Sequence, residues 1–327
     1  SENLFFHQVN VPDYPLFEYA PYELNLTSKL VDVSLHQGLD LLHVHYAIPH
    51  ASAALSAKQI LHARNIKLPI ITTLHGTDIT LLGKDKSFKP VIEFAINQSD
   101  AVTAVSENLK HETIQNFNIR RRIEMIPNFI DLNLYTKLED EKIRNQYIKE
   151  DEFIISHISN FRRVKRIEDV ISIFSRVNRK VNAKLLMIGD GPDRQAAEKM
   201  TAELNVQDKV FFLGKIKNTQ PYLAISDIFL LPSETESFGL VALEAMASRV
   251  AVISTNSGGL NEVNMNGVTG YLSGVGAVDE MADRAIDLLS NPQLLRNFKN
   301  QARQHAMNFD LGSILPKYEQ LYRRFSN

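Results

Sequence analysis

The chain contains no cysteine. That excludes disulfides, thiolate metal sites and a cysteine nucleophile, and it is compatible with a reducing, cytoplasmic setting. No apolar run approaches the roughly 20 residues that a membrane span needs. No charged-then-apolar leader is recognisable, and the opening "SENLFFHQVNV" reads instead as a loop entering a strand. A membrane partner is not expected. An excess of one charge is also lacking: 36 Lys and Arg stand against 38 Asp and Glu, a formal net charge of -2. Nucleic-acid binding needs a clustered basic surface and is not expected either. The densest basic runs are "RRR" at 120–122, read as a solvated face, and "RRVKR" at 162–166. Internal repeats, low-complexity stretches and a G-x-G-x-x-G fingerprint are absent too.

What remains is an ordinary globular composition over 327 residues, 44% hydrophobic and 23% charged. That length predicts two domains, each able to bury a core without staples. Short apolar runs alternate with helical spacing. Strands are predicted at 39–46, 68–74, 100–105 and 123–127, with helices at 51–65, 88–98 and 106–117 between them. Ser106 is a candidate N-cap, since its hydroxyl can accept from an early helix amide. Residues 127–152 are charged and carry no sustained strand, so they read as a linker and a short amphipathic helix. A second series has strands at 153–159, 183–189, 209–214, 227–232 and 250–255, and the chain from about 277 onward reads as helices. Such alternation implies right-handed βαβ crossovers and parallel sheets covered on both faces. The expected fold is therefore α/β, two doubly wound Rossmann-like domains facing a cleft. The boundaries are 1–130 for a first domain incomplete at its start, 131–152 for the linker, 153–305 for a second domain, and 306–327 for a C-terminal helix packing back on the first domain.

Ligands in such sheets sit beyond the carboxyl ends of the strands. In the first series these ends carry "HVHYAIPH" (43–50) and "TLHGTDIT" (73–80). They collect His43, His45, Tyr46, His50, Thr73, His75, Thr77 and Asp78. Gly76 would allow positive φ or a close approach. Several of the histidines could simply cap strand ends. His43 and His45 share a strand face and raise a metal question, but no third ligand is apparent, so no metal is expected. In the second series "SNFRRVKR" (159–166) concentrates Arg162, Arg163, Lys165 and Arg166 at a helix start, where cations oppose the macrodipole. A bound phosphate would account for them and is the favoured reading; a solvated helix start is the alternative. "IGDGP" (188–192) reads as a tight turn, and "NSGGLNEV" (256–263) as either a turn or a source of free amides for an anion.

"SETESFGLVALEAM" (233–246) brackets an apolar helix with Glu236 and Glu244. At about 100° per residue, eight helical positions leave the two directions roughly 80° apart. Glu236 belongs to the loop. The amides of Phe238, Gly239 and Leu240 start a helix whose N-terminus suits a diphosphate, and Glu244 could accept from ribose hydroxyls. Ordinary helix capping is the competing reading.

Here a family resemblance enters. "ETESFGLVALE" matches the E-x7-E motif of family-four retaining glycosyltransferases of the GT-B fold. "IPNFIDLNLY" (126–135) resembles their interdomain segment, with Phe129 where glycine is usual, and "NSGGLNEV" resembles their G-G-x-x-E element. The motifs run in the right order from about 43 to 270. "ASRVAVISTNSGG" departs from the pattern, with Ser248 and Arg249 replacing a Cys-Gly pair and Ala251 replacing proline; a local turn adjustment is expected. No glycine-rich loop precedes Ser1, so an amino-terminal βα unit of the family is expected to be missing.

"LHVHYAIPHA", "TTLHGTDIT" and "SNFRRVKRIEDV" further resemble the members that begin bacillithiol biosynthesis. The resemblance implies transfer of N-acetylglucosamine from UDP-GlcNAc to the hydroxyl of L-malate, with retention and without a cofactor or metal. Arg162 and Lys165 would then stabilise the departing diphosphate. Glu236 would hold donor-sugar hydroxyls with the Phe238, Gly239 and Leu240 backbone, and Glu244 the ribose. His75 would touch the sugar, and Tyr46 and Thr73 would lie on the acceptor side. The family also implies a possible homodimer. Two alternatives stay open: a family-four transferase with another acceptor, and a non-catalytic nucleotide-sugar-binding module.

Overall fold

A computed structural model describes residues 3–12, 19–135, 141–149 and 151–325. The chain separates into two compact units. The first is Ser1–Pro127 with Pro316–Asn327; the second is Asn128–Leu315.

The first unit has helices α1 (Tyr22–Gln37), α2 (Ser52–His62), α3 (Lys89–Gln98) and α4 (Glu107–Asn116) around strands β1 (Leu42–His45), β2 (Ile70–Leu74), β3 (Ala101–Ala104) and β4 (Ile123–Met125). The strands form one parallel sheet in the order β1-β2-β3-β4. β2 and β3 are buried along their whole length, as parallel strands covered on both faces must be. Leu42, Val44, Leu55, Leu61, Leu68 and Ile70 pack together on one side of the sheet. Ser106 caps α4 as predicted, its hydroxyl accepting the Leu109 amide at 3.0 Å. Residues 4–12 contain no strand, so the opening segment does not enter one there.

The second unit opens with a 3-10 turn at Leu132–Leu134, and its first α-helix is the single turn α5 (Glu141–Arg144), within the expected linker; positions 136–140 and 150 of that linker lie outside the described residues. Helices α6 (Ile167–Asn178), α7 (Arg194–Glu203), α8 (Gln220–Ala224), α9 (Leu240–Ala247), α10 (Leu260–Val263), α11 (Val278–Ser290) and α12 (Pro292–Ala306) follow. The strands are β5 (Phe153–Ser159), β6 (Ala183–Gly189), β7 (Val210–Gly214), β8 (Ile228–Leu231), β9 (Ala251–Thr255) and β10 (Gly270–Ser273). All pairings are parallel, in the order β10-β9-β8-β5-β6-β7. The order reverses beside β5, which is the topological switch of a doubly wound sheet. α6 shows why the alternation was readable. Ile167, Val170, Ile171, Phe174 and Val177 recur at helical spacing and are all buried. β10 was not anticipated, because four residues opening with glycine give little strand signal. α13 (Leu311–Tyr322) ends the helical tail, and its residues from Pro316 cluster with the first unit.

Candidate functional site

In the second unit the loops that leave β5, β6, β8 and β9 lean on one another. The β5 loop carries Arg162 and Lys165. Lys165 Nζ lies 2.5 Å from Glu236 Oε1 in the β8 loop, and Ser233 Oγ donates to the same oxygen at 2.8 Å. The two charged side chains are only 20% and 12% exposed, so the pair is shielded from water. The Glu234 amide donates to the Val164 carbonyl at 2.8 Å and fastens the two loops together. Arg162 and Arg163 are exposed. Arg166 does not join them: its Nε pairs with Asp169 in the first turn of α6, 2.6 Å away. The cationic run thus divides into two paired groups, Lys165 with Glu236 and Arg166 with Asp169, and two exposed arginines, Arg162 and Arg163.

The glycines of this region serve close packing. A Cβ on Gly189 would stand 1.7 Å from the Ser159 carbonyl oxygen, and one on Gly191 2.2 Å from that of Asn160. "IGDGP" is therefore shaped by the β5 loop. A Cβ on Gly258 would stand 2.1 Å from the Glu236 oxygen, and one on Gly259 2.4 Å from that of Ser237. The Gly259 amide is not available to an anion, since it donates to the Glu236 carbonyl at 2.8 Å. The glycine pair instead sets the height of the Glu236 loop. Ser257 Oγ and Thr255 Oγ1 add bonds of 2.7 Å to the Glu234 and Ser233 carbonyls.

After Glu236 the chain turns into α9. Phe238 is 3% exposed and meets the Phe309 ring edge-on, with centroids 5.8 Å apart. Its side chain is an anchor. Gly239 sits at φ 89, a conformation that suits glycine. Leu240 is 40% exposed. The first backbone bonds of α9 run from the Ala242 and Leu243 amides to the Gly239 carbonyl, so the amides before them are the usual unpaired donors of a helix start. Glu244 lies in the second turn. Burial raises its pKa, and a hydrogen bond from the Tyr135 phenol works against that rise. Burial, and then the Glu244 charge, push the Tyr135 phenol up in turn. Tyr135 was legible only as the last letter of "IPNFIDLNLY", and nothing in the sequence linked it to Glu244. The departure at Arg249 is also explained: it holds φ 59 without glycine and closes the turn after α9, with its side chain on Asn300 at 2.9 Å.

The first unit gathers its own constellation at the ends of β1 and β2. His45 Nδ1 lies 2.8 Å from His75 Nε2, and the Tyr46 ring lies 5.1 Å from that of His75. Tyr46 holds φ 76, secured by its amide on the Thr73 carbonyl at 2.8 Å. Asp78 joins the two loops, accepting the Ala47 amide at 2.6 Å and the Gly76 amide at 3.2 Å. Thr73 is fully buried, and its hydroxyl lies 2.7 Å from both His43 Nε2 and Thr103 Oγ1. His43 Nδ1 reaches the Tyr322 hydroxyl at 2.7 Å, a partner 279 residues away that sequence spacing could not indicate. Among the described residues no group of three or more His, Asp or Glu is placed to hold a metal ion, and no helix is long and apolar enough to cross a membrane.

Burial, with the neighbouring His45 and His75, pulls His43 down to about 4; burial and His45 do the same to His75. Between the ordinary value of 6.5 and about 4, the unfolded chain binds protons here that the folded chain refuses. Their stabilisation is present above 6.5 and is lost as the pH falls toward 4. After solvent screening, each should contribute on the order of 1–2 kcal/mol to that loss. Urea unfolding at pH 7.5 and 4.5 should show the wild type losing more stability than His43→Gln. Equal losses would mean that His43 does not carry this titration.

Both units have counterparts among known proteins. The family described as Glycosyltransferase Family 4 matches residues 2–134, and that described as Glycosyl transferases group 1 matches residues 139–305. The N-acetyl-alpha-D-glucosaminyl L-malate synthase of Bacillus anthracis is 47% identical over 322 residues, spanning 98% of this chain and 84% of that protein. Among solved structures, sucrose-phosphate synthase from Thermosynechococcus elongatus matches with a TM-score of 0.81 at 22% identity, over 96% of this chain and 82% of that one. Anabaena Alr3699/HepE in complex with UDP-glucose matches at 0.79 and 22% identity, over 95% and 84%. The structural likenesses carry the GT-B fold, and the sequence matches carry the family. The chain is a glycosyltransferase and belongs to glycosyltransferase family 4.

Proposed function

We propose that this chain transfers N-acetylglucosamine from UDP-GlcNAc to the hydroxyl of L-malate with retention of configuration, the first step of bacillithiol biosynthesis. The observation that carries this reading is the 47% identity to the Bacillus anthracis synthase over 98% of the chain, which includes the acceptor-side loops as well as the donor-side motifs.

The second unit would hold the donor. Arg162 and Lys165 would face the diphosphate. The α9 amides would contribute their dipoles to the phosphates. Glu236 would accept from sugar hydroxyls, steadied by Lys165 and Ser233, and Glu244 would accept from the ribose. In the first unit, Tyr46 and His75 would meet the acceptor and sugar, with Thr73 supporting them from beneath through His43.

In the proposed step, the bond from the anomeric carbon to the β-phosphate oxygen breaks. The malate hydroxyl oxygen bonds to that carbon from the same face, and its proton passes to the departing phosphate. UDP leaves carrying the negative charge. Catalysis then rests on positioning and on charges preorganised around the phosphate, with no protein nucleophile. Fixed cations can serve a departing diphosphate directly, so no metal or other cofactor is proposed.

The test measures UDP release from UDP-GlcNAc with and without L-malate, and the anomeric configuration of the product by NMR. Malate-dependent release of an α-linked product is expected. Donor turnover that ignores malate but responds to another hydroxyl compound would overturn the acceptor. An inverted product would overturn the retaining mechanism.

A further inference from the structure

The donor-side cations stand on a loop with unfavourable backbone. Phe161 is fully buried at φ 33, and Arg166 holds φ 50. Neither is glycine, and residues in that region persist only where their surroundings hold them. Arg162 and Lys165 lie between the two.

Beneath the start of this loop is His157 of β5, a fully buried histidine that the proposed chemistry does not use. Its ring lies parallel to that of Phe229 in β8, 6.3 Å between centroids, and 6.2 Å from that of Phe161. Nδ1 is 2.8 Å from the Leu230 carbonyl oxygen. A carbonyl only accepts, so Nδ1 carries the proton and Nε2 presents a lone pair. Nε2 is 2.8 Å from Ser159 Oγ, which must therefore donate. The same Ser159 oxygen accepts the Phe161 amide at 3.3 Å. The direction of every bond follows from the carbonyl at one end. Burial pulls His157 down to about 4, and the Lys165 charge acts the same way, so the lone pair persists at neutral pH.

This chain of bonds joins two strands that carry the two halves of one pair. β5 leads to Lys165; β8, through Leu230, leads to Ser233 and Glu236. We propose that His157 and Ser159 are positioning residues for the diphosphate clamp: by holding the Phe161 turn, they aim Arg162 and Lys165. The inference rests on the donor-side reading above, but not on the identity of the acceptor. It departs from a purely structural role, in which His157 merely satisfies a core carbonyl and Ser159 is dispensable.

Ser159→Ala removes the link and leaves the Leu230 bond intact. Ser159→Thr keeps the hydroxyl and serves as the conservative rescue. The intact chain is compared in three measurements: UDP affinity by calorimetry, amide hydrogen exchange over residues 160–166, and melting temperature. Ser159→Ala should weaken UDP binding about tenfold through the misplaced cations. It should also speed exchange in that loop, with little change in melting temperature. Ser159→Thr should return both readouts toward wild type. Wild-type exchange and UDP affinity in Ser159→Ala would overturn the proposal, as would a loss that Ser159→Thr does not restore. If the wild type binds UDP but ignores malate, the acceptor assignment fails while these readouts still decide this inference. If the wild type binds no UDP, the donor reading fails, and a clamp for UDP fails with it.

Discussion

Lys165→Ala should lower kcat for sugar transfer by about 10²–10³-fold, the loss typical of removing one preorganised charge-stabilising donor. Two effects act together. The substitution removes a cation proposed to meet the departing diphosphate. It also removes the partner 2.5 Å from Glu236, leaving that largely buried carboxylate with Ser233 as its remaining side-chain partner. A partly desolvated anion would then face a leaving group that is gaining negative charge. The effects of Lys165→Ala and Glu236→Gln should therefore not add, because each breaks the same pair. Steady-state kinetics of the two single variants and the double variant would test this. The kcat loss should exceed any rise in donor KM, since the cation matters most as the bond breaks. A Lys165→Ala enzyme within about threefold of wild-type kcat would show that the departing charge is stabilised elsewhere.

Asp227→Ala should destabilise the second unit by about 3–5 kcal/mol, the range for breaking a buried ion pair from one side. Asp227 is 8% exposed. Lys299 Nζ lies 2.7 Å from one carboxylate oxygen, and Arg144 Nη2 lies 3.3 Å from the other, which also accepts the Ile154 amide at 3.0 Å. Burial by itself would raise this carboxyl; the Lys299 and Arg144 charges outweigh it and hold Asp227 below its ordinary value of 3.8. The sign follows. The contribution is present above 3.8 and is lost as the pH falls through the lower folded value. The alanine variant leaves two cations and one strand amide without their acceptor, at the junction of α5, β5, β8 and α12. Urea unfolding followed by circular dichroism should show the midpoint falling by about 1–3 M. Asp227→Asn should lose less, since it keeps a hydrogen-bond acceptor. A wild-type midpoint in Asp227→Ala would mean that the cations find water at no cost.

Much of the scaffold was legible because its signals are local. The run "IITTL" is β-branched and apolar and became β2, buried throughout. The α6 stripe declared its buried face, and Ser106 declared the start of α4. The loops after the strands were found by the rule that ligands meet parallel sheets at their carboxyl edge. Residue types there pointed to Lys165, Glu236, Glu244 and His75. By contrast, "NSGGLNEV" could be a turn or an anion cradle on sequence, and only the structure shows that the Glu236 carbonyl occupies the Gly259 amide.

Local signals alone were enough for the alternation of strands and helices, the Ser106 cap, the family and the candidate loops. These depend on periodicity and on neighbours within a few positions. Which groups pair with one another came from the packing in three dimensions. It put Tyr135 on Glu244 and Tyr322 on His43, set His157 beneath the cationic loop, and brought Gly189 and Gly258 against the carbonyls of Ser159 and Glu236. Hydrogen bonds and steric contacts act over a few ångströms of space whatever the separation along the chain. A one-dimensional pattern therefore holds the inventory of such groups, and the packing of the sheets selects among their pairings.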